Sequence, residues 1–307
     1  MSTTFYGVVP PVLTPLHEDG SVDHEAYAKL VEHLIDGGVH GLFVLGSSSE
    51  TAYLTDAQRR EVLESAVRLV AGRVPVMAGV IDITTNRVID QVRVAEEVGV
   101  DAVVATAPMY IRTNDAEIEE HFRAIAAATD LPVFAYDLPV CVHVKLDTDM
   151  LVRLGVDGVL AGVKDSSGDD VAFRRLVARN RAAGSPLVVF TGHEAVVDGM
   201  LLLGADGLVP GLGNVDPHGY VRLWDLAQEK RWEEARDEQD RLAALFEIVF
   251  QATDLSGGAA GVGSFKTALE LMGVFSTNRM SVPAGRLVGA NVDKVREIVV
   301  SSGLLER

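Results

Sequence analysis

The feature that most constrains the fold of this chain is a series of eight short apolar segments separated by stretches with helical periodicity. Most of these segments read as continuous runs of valine, leucine, alanine and phenylalanine, without the alternation of a sheet that has one face in water. Continuous apolar runs are typical of parallel strands covered on both faces. The predicted strands lie at residues 7–15, 41–46, 74–80, 102–108, 131–137, 159–165, 186–192 and 207–213.

The predicted strands begin with two kinds of entry signal in strict alternation. Strands two, four, six and eight follow a turn that opens with glycine, at residues 38–41, 99–102, 155–158 and 204–207. Strands three, five and seven open on a proline instead. Glycine commonly ends the preceding helix, and proline is tolerated at the first residue of a strand. Eight consecutive strand–helix units with this internal repeat predict an α/β fold, a closed (β/α)8 TIM barrel.

Beyond Pro217 the sequence shows helical patterns without further strands. The predicted helices lie at residues 220–229, 232–251, 262–272 and 284–301, with a mobile loop at 254–263. We therefore expect a barrel over residues 1–225 and a C-terminal helical extension over residues 226–307 that packs on it. Because no linker rich in proline, glycine and serine joins the two parts, they are expected to form a single structural unit.

The composition excludes several classes of function. The 307 residues carry 27 basic and 44 acidic side chains, a net charge of −17, which argues against a nucleic-acid partner. No segment approaches the roughly 20 consecutive apolar residues that cross a bilayer, so no membrane association is expected. The N-terminus lacks the basic region of a signal peptide, and the single cysteine, Cys141, excludes an internal disulfide framework. These features predict a cytoplasmic protein.

The active site of a (β/α)8 barrel lies where the strands end, so the polar side chains there are the candidates for catalysis. Lys164 is the most informative, because it comes near the end of an otherwise apolar strand six. Burial disfavours the charged form of an amine, and a neutral lysine can attack a carbonyl to form a Schiff base. The alternative interpretation is a lysine paired with Asp165 or with another carboxylate at the rim. Its position alone does not decide between the two.

Three more candidates follow other strands. Tyr136, at the end of strand five, could pass protons to a substrate bound at Lys164, or could simply fill the top of the barrel. Ser47 and Ser48, in a turn after strand two, offer hydroxyl and backbone N–H groups to a substrate carboxylate. The alternative for both serines is an ordinary helix cap.

No metal centre is predicted, because the eight histidines form no cluster with the spacing of metal ligands. The glycine-rich segment at 257–263 lacks the lysine and hydroxyl residue that end a phosphate-binding loop, so a surface loop is expected there. Schiff-base chemistry requires neither a metal nor an organic cofactor, and none is expected.

Five short motifs occur in order along the chain. They are residues 12–15 in strand one, 46–50 as Gly-Ser-Ser-Ser-Glu, 108–110 as Pro-Met-Tyr, 136–139 as Tyr-Asp-Leu-Pro, and 162–169 around the lysine. Together they resemble the dihydrodipicolinate synthase / N-acetylneuraminate lyase family of class I Schiff-base aldolases. The resemblance covers nearly the whole chain, and its specificity comes from five motifs in the right order on the right strands.

The resemblance implies a role for each matching residue. Lys164 would condense with the C2 keto group of pyruvate or a larger 2-oxo acid, and Tyr136 would be the proton shuttle. Ser47 and Ser48 would bind the carboxylate, with the Ser48 hydroxyl also part of the relay. Tyr110 matches a catalytic tyrosine that crosses a tight dimer interface in the synthases, which implies a homotetramer built as a dimer of dimers.

Other positions depart from the family and concern the second substrate. Cys141 stands where the synthases have an arginine for the second substrate's carboxylate, and a thiol supplies no cationic fork. Near His193 and Gly211 the sugar contacts of the sialic acid lyases are not matched well. Cys141, His193 and Val209 are the expected outer contacts of the substrate, beside Ser47 and Ser48.

The predicted function is a class I aldolase or dehydratase acting on pyruvate or another 2-oxo acid, such as a 2-keto-3-deoxy sugar acid or a 4-hydroxy-2-oxo acid. An aldehyde is the expected second reactant. A 4-hydroxy-tetrahydrodipicolinate synthase is the alternative enzyme, and the missing arginine counts against it. An alternative from another functional class is a barrel that binds a keto acid without catalysis. The presence of both Lys164 and Tyr136 argues against this alternative.

Overall fold

The computed structural model describes residues 4–306, and its centre is a sheet of eight parallel strands. Each strand lies inside the corresponding predicted segment but is shorter, because an apolar run reports burial and not the length of the hydrogen-bonded ladder. Val12 and Leu13, for example, are buried beyond the end of the first strand. The strands are β1 (Gly7–Val8), β2 (Leu42–Val44), β3 (Val76–Gly79), β4 (Ala102–Thr106), β5 (Val133–Asp137), β6 (Gly162–Asp165), β7 (Val188–Thr191) and β8 (Gly207–Leu208).

The strands close into a barrel in the order β1-β8-β7-β6-β5-β4-β3-β2. β1 pairs with β8 in parallel, with Gly7 opposite Gly207. The gap between β1 and β2 closes through a parallel bridge of Pro11 with Phe43, whose N–H donates to Pro10 O at 3.0 Å. The predicted (β/α)8 barrel is therefore confirmed.

Helices cover the outside of the barrel and continue beyond β8. A capping box is present at residues 55–58, since Thr55 and Gln58 each accept the other's backbone N–H. None of the helices within residues 4–306 combines the length and the apolar character needed to cross a bilayer. The helices are α1 (His24–Asp36), α2 (Asp56–Val70), α3 (Thr85–Val98), α4 (Asp115–Ala126), α5 (Pro139–Val142), α6 (Thr148–Val156), α7 (Asp170–Ala182), α8 (Val197–Leu203), α9 (Pro217–Gln228), α10 (Trp232–Phe246), α11 (Gly257–Leu271) and α12 (Ala290–Ser301).

Three of the four glycine turns form as predicted, and one is shifted. Gly38, Gly99 and Gly204 have positive φ at or just after the ends of their helices. In the third turn Gly155 lies inside α6, and the left-handed residue is Gly158. A Cβ atom on Gly155 would lie 2.6 Å from Leu187, so this glycine permits close packing of the helix on the barrel wall.

The predicted mobile loop at 254–263 is wrong, because α11 already begins at Gly257. Ser256 caps the helix, its hydroxyl accepting the Ala259 N–H at 3.4 Å. The glycines suggested a loop, but packing overrides intrinsic propensity here. Gly263 is buried, and a Cβ atom on it would lie 2.8 Å from Leu287. The small residues of this helix therefore allow it to lie close against its neighbours.

Other C-terminal boundaries also differ from the predicted ones. The predicted helix at 284–301 begins only at Ala290, because Gly289 before it has a φ of +53°, outside the helical range. The helix predicted to reach residue 251 ends as an α-helix at Phe246 and continues for one turn as a 3₁₀-helix. The expected domain boundary after residue 225 falls inside α9, and the division into barrel and extension stays a prediction.

The inside of the barrel is a packed core. Phe5, just before β1, meets Phe134 edge-on with 5.3 Å between the ring centroids, and Phe134 stacks on Phe190 at 6.0 Å. These rings fill the end of the barrel where the strands begin. Any site must therefore form at the opposite end, where the strands finish.

Candidate active site

Lys164 lies near the end of β6 with its side chain inside the barrel. Only 5% of the residue is exposed. Its Nζ lies 4.1 Å from the ring centroid of Tyr136 and 4.8 Å from that of Phe43. Its register partners on the neighbouring strands are Tyr136 and Phe190. The amine is thus enclosed largely by aromatic surface.

The alternative ion pair between Lys164 and Asp165 does not form. Asp165 follows Lys164 on the strand, so its side chain points to the opposite face. There its carboxylate lies 3.4 Å from Nζ of Lys145, which also forms an ion pair with the buried Asp137. Although burial lowers it, the charges of Asp165 and Asp137 raise the pKa of Lys145. Within residues 4–306, Lys164 has no carboxylate at ion-pair distance.

Tyr136, one strand away on β5, links the lysine to the mouth of the barrel. Its hydroxyl lies 3.4 Å from Ser47 Oγ in the loop after β2. Its ring packs edge-on against Phe43, with 6.1 Å between centroids. A phenol placed between a buried amine and an outer hydroxyl is suited to carrying a proton between them.

The loop after β2 turns two of its three serines toward the mouth. Ser49 is buried and faces inward, with its hydroxyl donating to Val12 O and its carbonyl oxygen accepting from Thr14 Oγ1 at 2.9 Å. Ser47 is exposed and Ser48 is half-buried. In the part of the chain that the structure describes, neither Ser47 nor Ser48 donates its backbone N–H to another residue. The two N–H groups and the Ser48 hydroxyl are therefore free to bind a carboxylate.

This loop is anchored by a buried ion pair that sequence reasoning missed. Glu50, whose side chain is 2% exposed, pairs with Lys266 of α11, whose side chain is fully buried. Lys266 Nζ also donates to Arg279 O at 2.8 Å, and the Ser281 N–H donates to Glu50 Oε2 at 2.7 Å. Burial lowers the pKa of Lys266, and the charge of Glu50 opposes this. The sequence contained one signal of this pair, because Lys266 stands in an apolar stretch of helix.

Of two further expected site residues, Tyr110 lies away from this group and Val209 is packed beside it. Tyr110 follows β4 with a φ of +71°, is 95% exposed, and stands next to the half-exposed Ile111. Its side chain is outside the barrel of its own chain. Val209, just after β8, is buried in the apolar cluster that fills the barrel together with Phe190 and Tyr136.

Cys141 and His193 have different surroundings. Cys141, on α5, is exposed and lines the cavity described next, and partial burial raises the pKa of its thiol. His193 follows β7, and its Nδ1 lies 2.9 Å from Asp170 Oδ1 at the start of α7. The imidazole is therefore held at the rim and is not part of the cavity wall.

A cavity of about 230 Å³ opens beside Ser47 at the mouth of the barrel, and we call it the mouth cavity. Residues from the strand ends form one wall, and the first turns of α11 with Met280 and Ala284 form the other. Among the described residues that form its wall, the one charged side chain is Glu50, which is paired with Lys266. The wall consists of Ser47, Glu50, Thr51, Ala52, Tyr53, Ile81, Thr106, Met109, Leu138, Cys141, Gly258, Ala259, Val262, Met280 and Ala284.

Glu194, directly after His193, is a second titratable group that the sequence did not single out. Burial raises its pKa to about 7, against the opposing effects of backbone N–H groups and of the charge on Lys164. Its carboxylate accepts the Leu212 N–H at 2.6 Å. Within residues 4–306, no group of three or more His, Cys, Asp or Glu side chains is placed to hold a metal ion.

The fold and this geometry define a class, the (β/α)8 barrels with a buried lysine at the strand ends. The model of the dihydrodipicolinate synthetase family matches residues 4–301. The chain belongs to this family. The family and the enzyme class predicted from the sequence, the class I aldolases and lyases, are thereby confirmed.

Individual relatives agree with this assignment. A 4-hydroxy-tetrahydrodipicolinate synthase of Phenylobacterium zucineum is 36% identical over 80% of this chain and 82% of its own. Another, of Parabacteroides distasonis, is 30% identical over 95% of each chain. Among solved structures, the dihydrodipicolinate synthase of Thermotoga maritima superposes with a TM-score of 0.91 at 26% identity, covering 98% of this chain and 99% of the other.

A further structural neighbour has pyruvate bound. YagE, a prophage protein of the same family from E. coli K12 solved in complex with pyruvate, superposes with a TM-score of 0.91 at 26% identity. The match covers 98% of this chain and 100% of that one. The shared fold thus includes a family member that binds a 2-oxo acid.

Proposed function

We propose that this protein is a lyase in which Lys164 forms a Schiff base with pyruvate or a larger 2-oxo acid. The observation that carries the proposal is the buried Lys164, which has no carboxylate at ion-pair distance among the described residues and whose Nζ lies 4.1 Å from the ring centroid of Tyr136. The pyruvate complex of the related YagE structure supports the choice of the first substrate. The reaction uses no metal and no organic cofactor, and the cytoplasm is the proposed compartment.

The mechanism follows from the electron demand of the iminium. The amine of Lys164 attacks C2, and the keto oxygen leaves as water. With a 4-hydroxy-2-oxo acid, the C4 hydroxyl then loses its proton as the electron pair of the C3–C4 bond moves to the iminium, which releases an aldehyde and leaves an enamine that takes up a proton at C3. In the direction of synthesis, the enamine attacks an aldehyde carbon, and the new hydroxyl takes up a proton. Hydrolysis of the Schiff base returns the free lysine.

Tyr136 is the proposed proton carrier, and Ser47 is the hydroxyl proposed to work with it. The distance of 3.4 Å between their oxygens favours Ser47 over Ser48 in the relay. Ser48, with the free backbone N–H groups of both serines, then binds the carboxylate of the 2-oxo acid. Charged partners are not needed, because several neutral donors can hold a carboxylate.

Tyr110 is proposed to act in the site of a second subunit. Its 95% exposure and the adjacent exposed Ile111 support a protein interface at this position. A homotetramer built as a dimer of dimers remains the proposed assembly.

The names of the relatives favour a second candidate, 4-hydroxy-tetrahydrodipicolinate synthase. That reaction joins pyruvate to an aldehyde that carries a carboxylate. Cys141 offers no cation to such a group, and the wall of the mouth cavity contains no arginine or lysine. A direct assay of pyruvate with aspartate semialdehyde separates the two candidates.

The test of the proposal is borohydride reduction in the presence of pyruvate, followed by mass spectrometry of the intact protein and its peptides. We expect one carboxyethyl adduct, on Lys164. The adduct should be absent in Lys164→Ala and present in Lys145→Arg, which removes the neighbouring amine but keeps its charge. A folded protein without an adduct, tried also with longer 2-oxo acids, would contradict the proposal.

A silent barrel is separated from the enzyme by proton exchange. An active site should exchange the methyl protons of pyruvate in deuterated water through the enamine, and NMR should show the loss of signal. Binding of pyruvate without exchange would support the silent alternative.

A further inference from the structure

The mouth cavity carries information about the second substrate. Ile81, Met109 and Leu138 come from the strand ends, and they belong to or pack against the apolar cluster that contains Tyr136. Val262 and Met280 face them from the C-terminal region. The cavity is a largely apolar space, and it adjoins Ser47, whose hydroxyl lies 3.4 Å from that of Tyr136.

No cation in the wall is available to a substrate carboxylate. Glu50 is neutralised by Lys266, which is itself fully buried. Arg59 donates to Thr51 O at 3.1 Å and to Ile81 O at 3.0 Å, so its guanidinium is already occupied. An anionic aldehyde would have to give up its hydration without gaining an ion pair.

Polar partners in the cavity are few. The hydroxyls of Thr51 and Thr106 are buried and have no hydrogen-bond partner among the described residues. They can serve one or two oxygen atoms, such as the carbonyl oxygen that becomes the new hydroxyl. A polyhydroxylated sugar chain would bring more hydroxyls into the cavity than these groups can satisfy, and each unsatisfied one lowers affinity.

The size of the cavity limits the occupant. The volume is about 230 Å³, and an engineered apolar cavity of about 150 Å³ binds benzene. A single ring or a chain of several carbons therefore fits.

We infer that the second substrate is an uncharged apolar aldehyde of about the size of benzaldehyde, with its side chain in the mouth cavity. The inference rests on the proposed function, because the aldehyde reacts with the enamine on Lys164. Carbon C3 of the enamine forms a bond to the aldehyde carbon, and the aldehyde oxygen takes up one proton. Hydrolysis with one water then gives a 4-hydroxy-2-oxo acid with an apolar substituent at C4.

The experiment compares aldehydes on the intact enzyme with pyruvate as the common partner. Benzaldehyde and hexanal are the apolar probes, and D-glyceraldehyde and aspartate semialdehyde are the polyol and anionic probes. We expect kcat/KM for both apolar probes to be at least tenfold higher than for either polar probe. Equal values, a preference for a polar probe, or no turnover of the apolar probes by an enzyme that forms the pyruvate adduct would overturn the inference.

Variants tie the preference to the cavity. Val262→Asp places a charge in the wall and is expected to lower kcat/KM for benzaldehyde at least tenfold, and Met109→Thr should lower it in the same direction. Val171→Asp, the same change at a residue 73% exposed on α7, should leave it unchanged. Unchanged benzaldehyde kinetics in both cavity variants would contradict the inference. Failure of the pyruvate adduct in the unmodified enzyme would instead contradict the proposed function itself.

Discussion

Lys164 and Lys145 are close in the barrel wall, but their surroundings give the two amines different chemistry. Side chains alternate between the faces of a strand, so Tyr136 and Lys164 face inward while Asp137 and Asp165 face outward. Lys145 reaches the two outward carboxylates and is held as a cation. Lys164 instead meets the rings of Tyr136 and Phe43, and within the described residues no carboxylate lies at ion-pair distance from its Nζ.

Removal of the phenol tests the proton path. Tyr136→Phe keeps the ring against Phe43 but loses the hydroxyl near Ser47. We expect kcat to fall by about 10²–10⁴-fold, the usual contribution of general acid–base catalysis. Single-turnover measurement of aldehyde release checks this. Tyr6→Phe, a partly exposed tyrosine just before β1, is the control, and an equal loss there would contradict a specific role for Tyr136.

Glu194 should make stability depend on pH. Its pKa is about 7 in the folded protein and 4.5 for an ordinary glutamate, the value expected in the unfolded chain. Between these two pH values the folded state keeps a proton that the unfolded state loses. Stability from this group is therefore full below pH 4.5 and falls as the pH rises to 7, by about 3 kcal/mol at most.

Glu194→Gln should remove that dependence. The free energy of unfolding of the variant, relative to the unmodified protein, is expected to rise steadily between pH 5 and pH 7. Urea unfolding at several pH values measures it, with the exposed Glu233→Gln as the control. A constant difference across this range would show that Glu194 does not titrate there.

At the scale of elements, the pair of Glu50 and Lys266 connects the serine loop to α11. Removing one partner of a buried ion pair leaves an uncompensated charge and typically costs about 3–5 kcal/mol. Lys266→Met and Glu50→Gln should each destabilise the protein, and the double variant should lose clearly less than the sum. Urea unfolding gives the coupling, and the exposed pair of Glu25 and Lys29 should show almost none.

The same variants test whether the pair positions Ser47 and Ser48. If it does, the KM for pyruvate of the folded variants should rise by a larger factor than their kcat falls. The reason is that the carboxylate-binding loop moves while Lys164 and Tyr136 stay on their strands. A loss of stability with an unchanged KM would leave the pair as a purely structural contact.

The sequence was a good guide to elements wherever periodicity and caps agreed. The eight strands and the capping box of α2 could be predicted because burial on both faces and reciprocal N–H acceptance leave local signals. The start of α11 could not, because its glycines and alanines resemble a loop until the packing partners are known. The Glu50–Lys266 pair could not be predicted either, because it joins residues that are far apart in the chain.

At the scale of the whole molecule, the exposed segment after β4 is the proposed interface. Ile111→Asp is expected to weaken the oligomer, because it places a charge beside Tyr110 in the apolar contact. Analytical ultracentrifugation should show smaller species, and kcat should fall if Tyr110 serves a second subunit. Leu202→Asp, at a residue 63% exposed on α8, is the control. An unchanged oligomer with full activity would remove the interface from this position.

The position of α11 has a consequence for how such enzymes diversify. The strands hold the groups proposed to react and form one wall of the mouth cavity, whereas this C-terminal helix contributes to the opposite wall. Part of the substrate space is therefore encoded apart from the proposed catalytic residues. A chimera that carries the last three helices of a relative should still form the Schiff base and should take on the relative's aldehyde preference. Recombination would then give this barrel new substrates without a change in its catalytic centre.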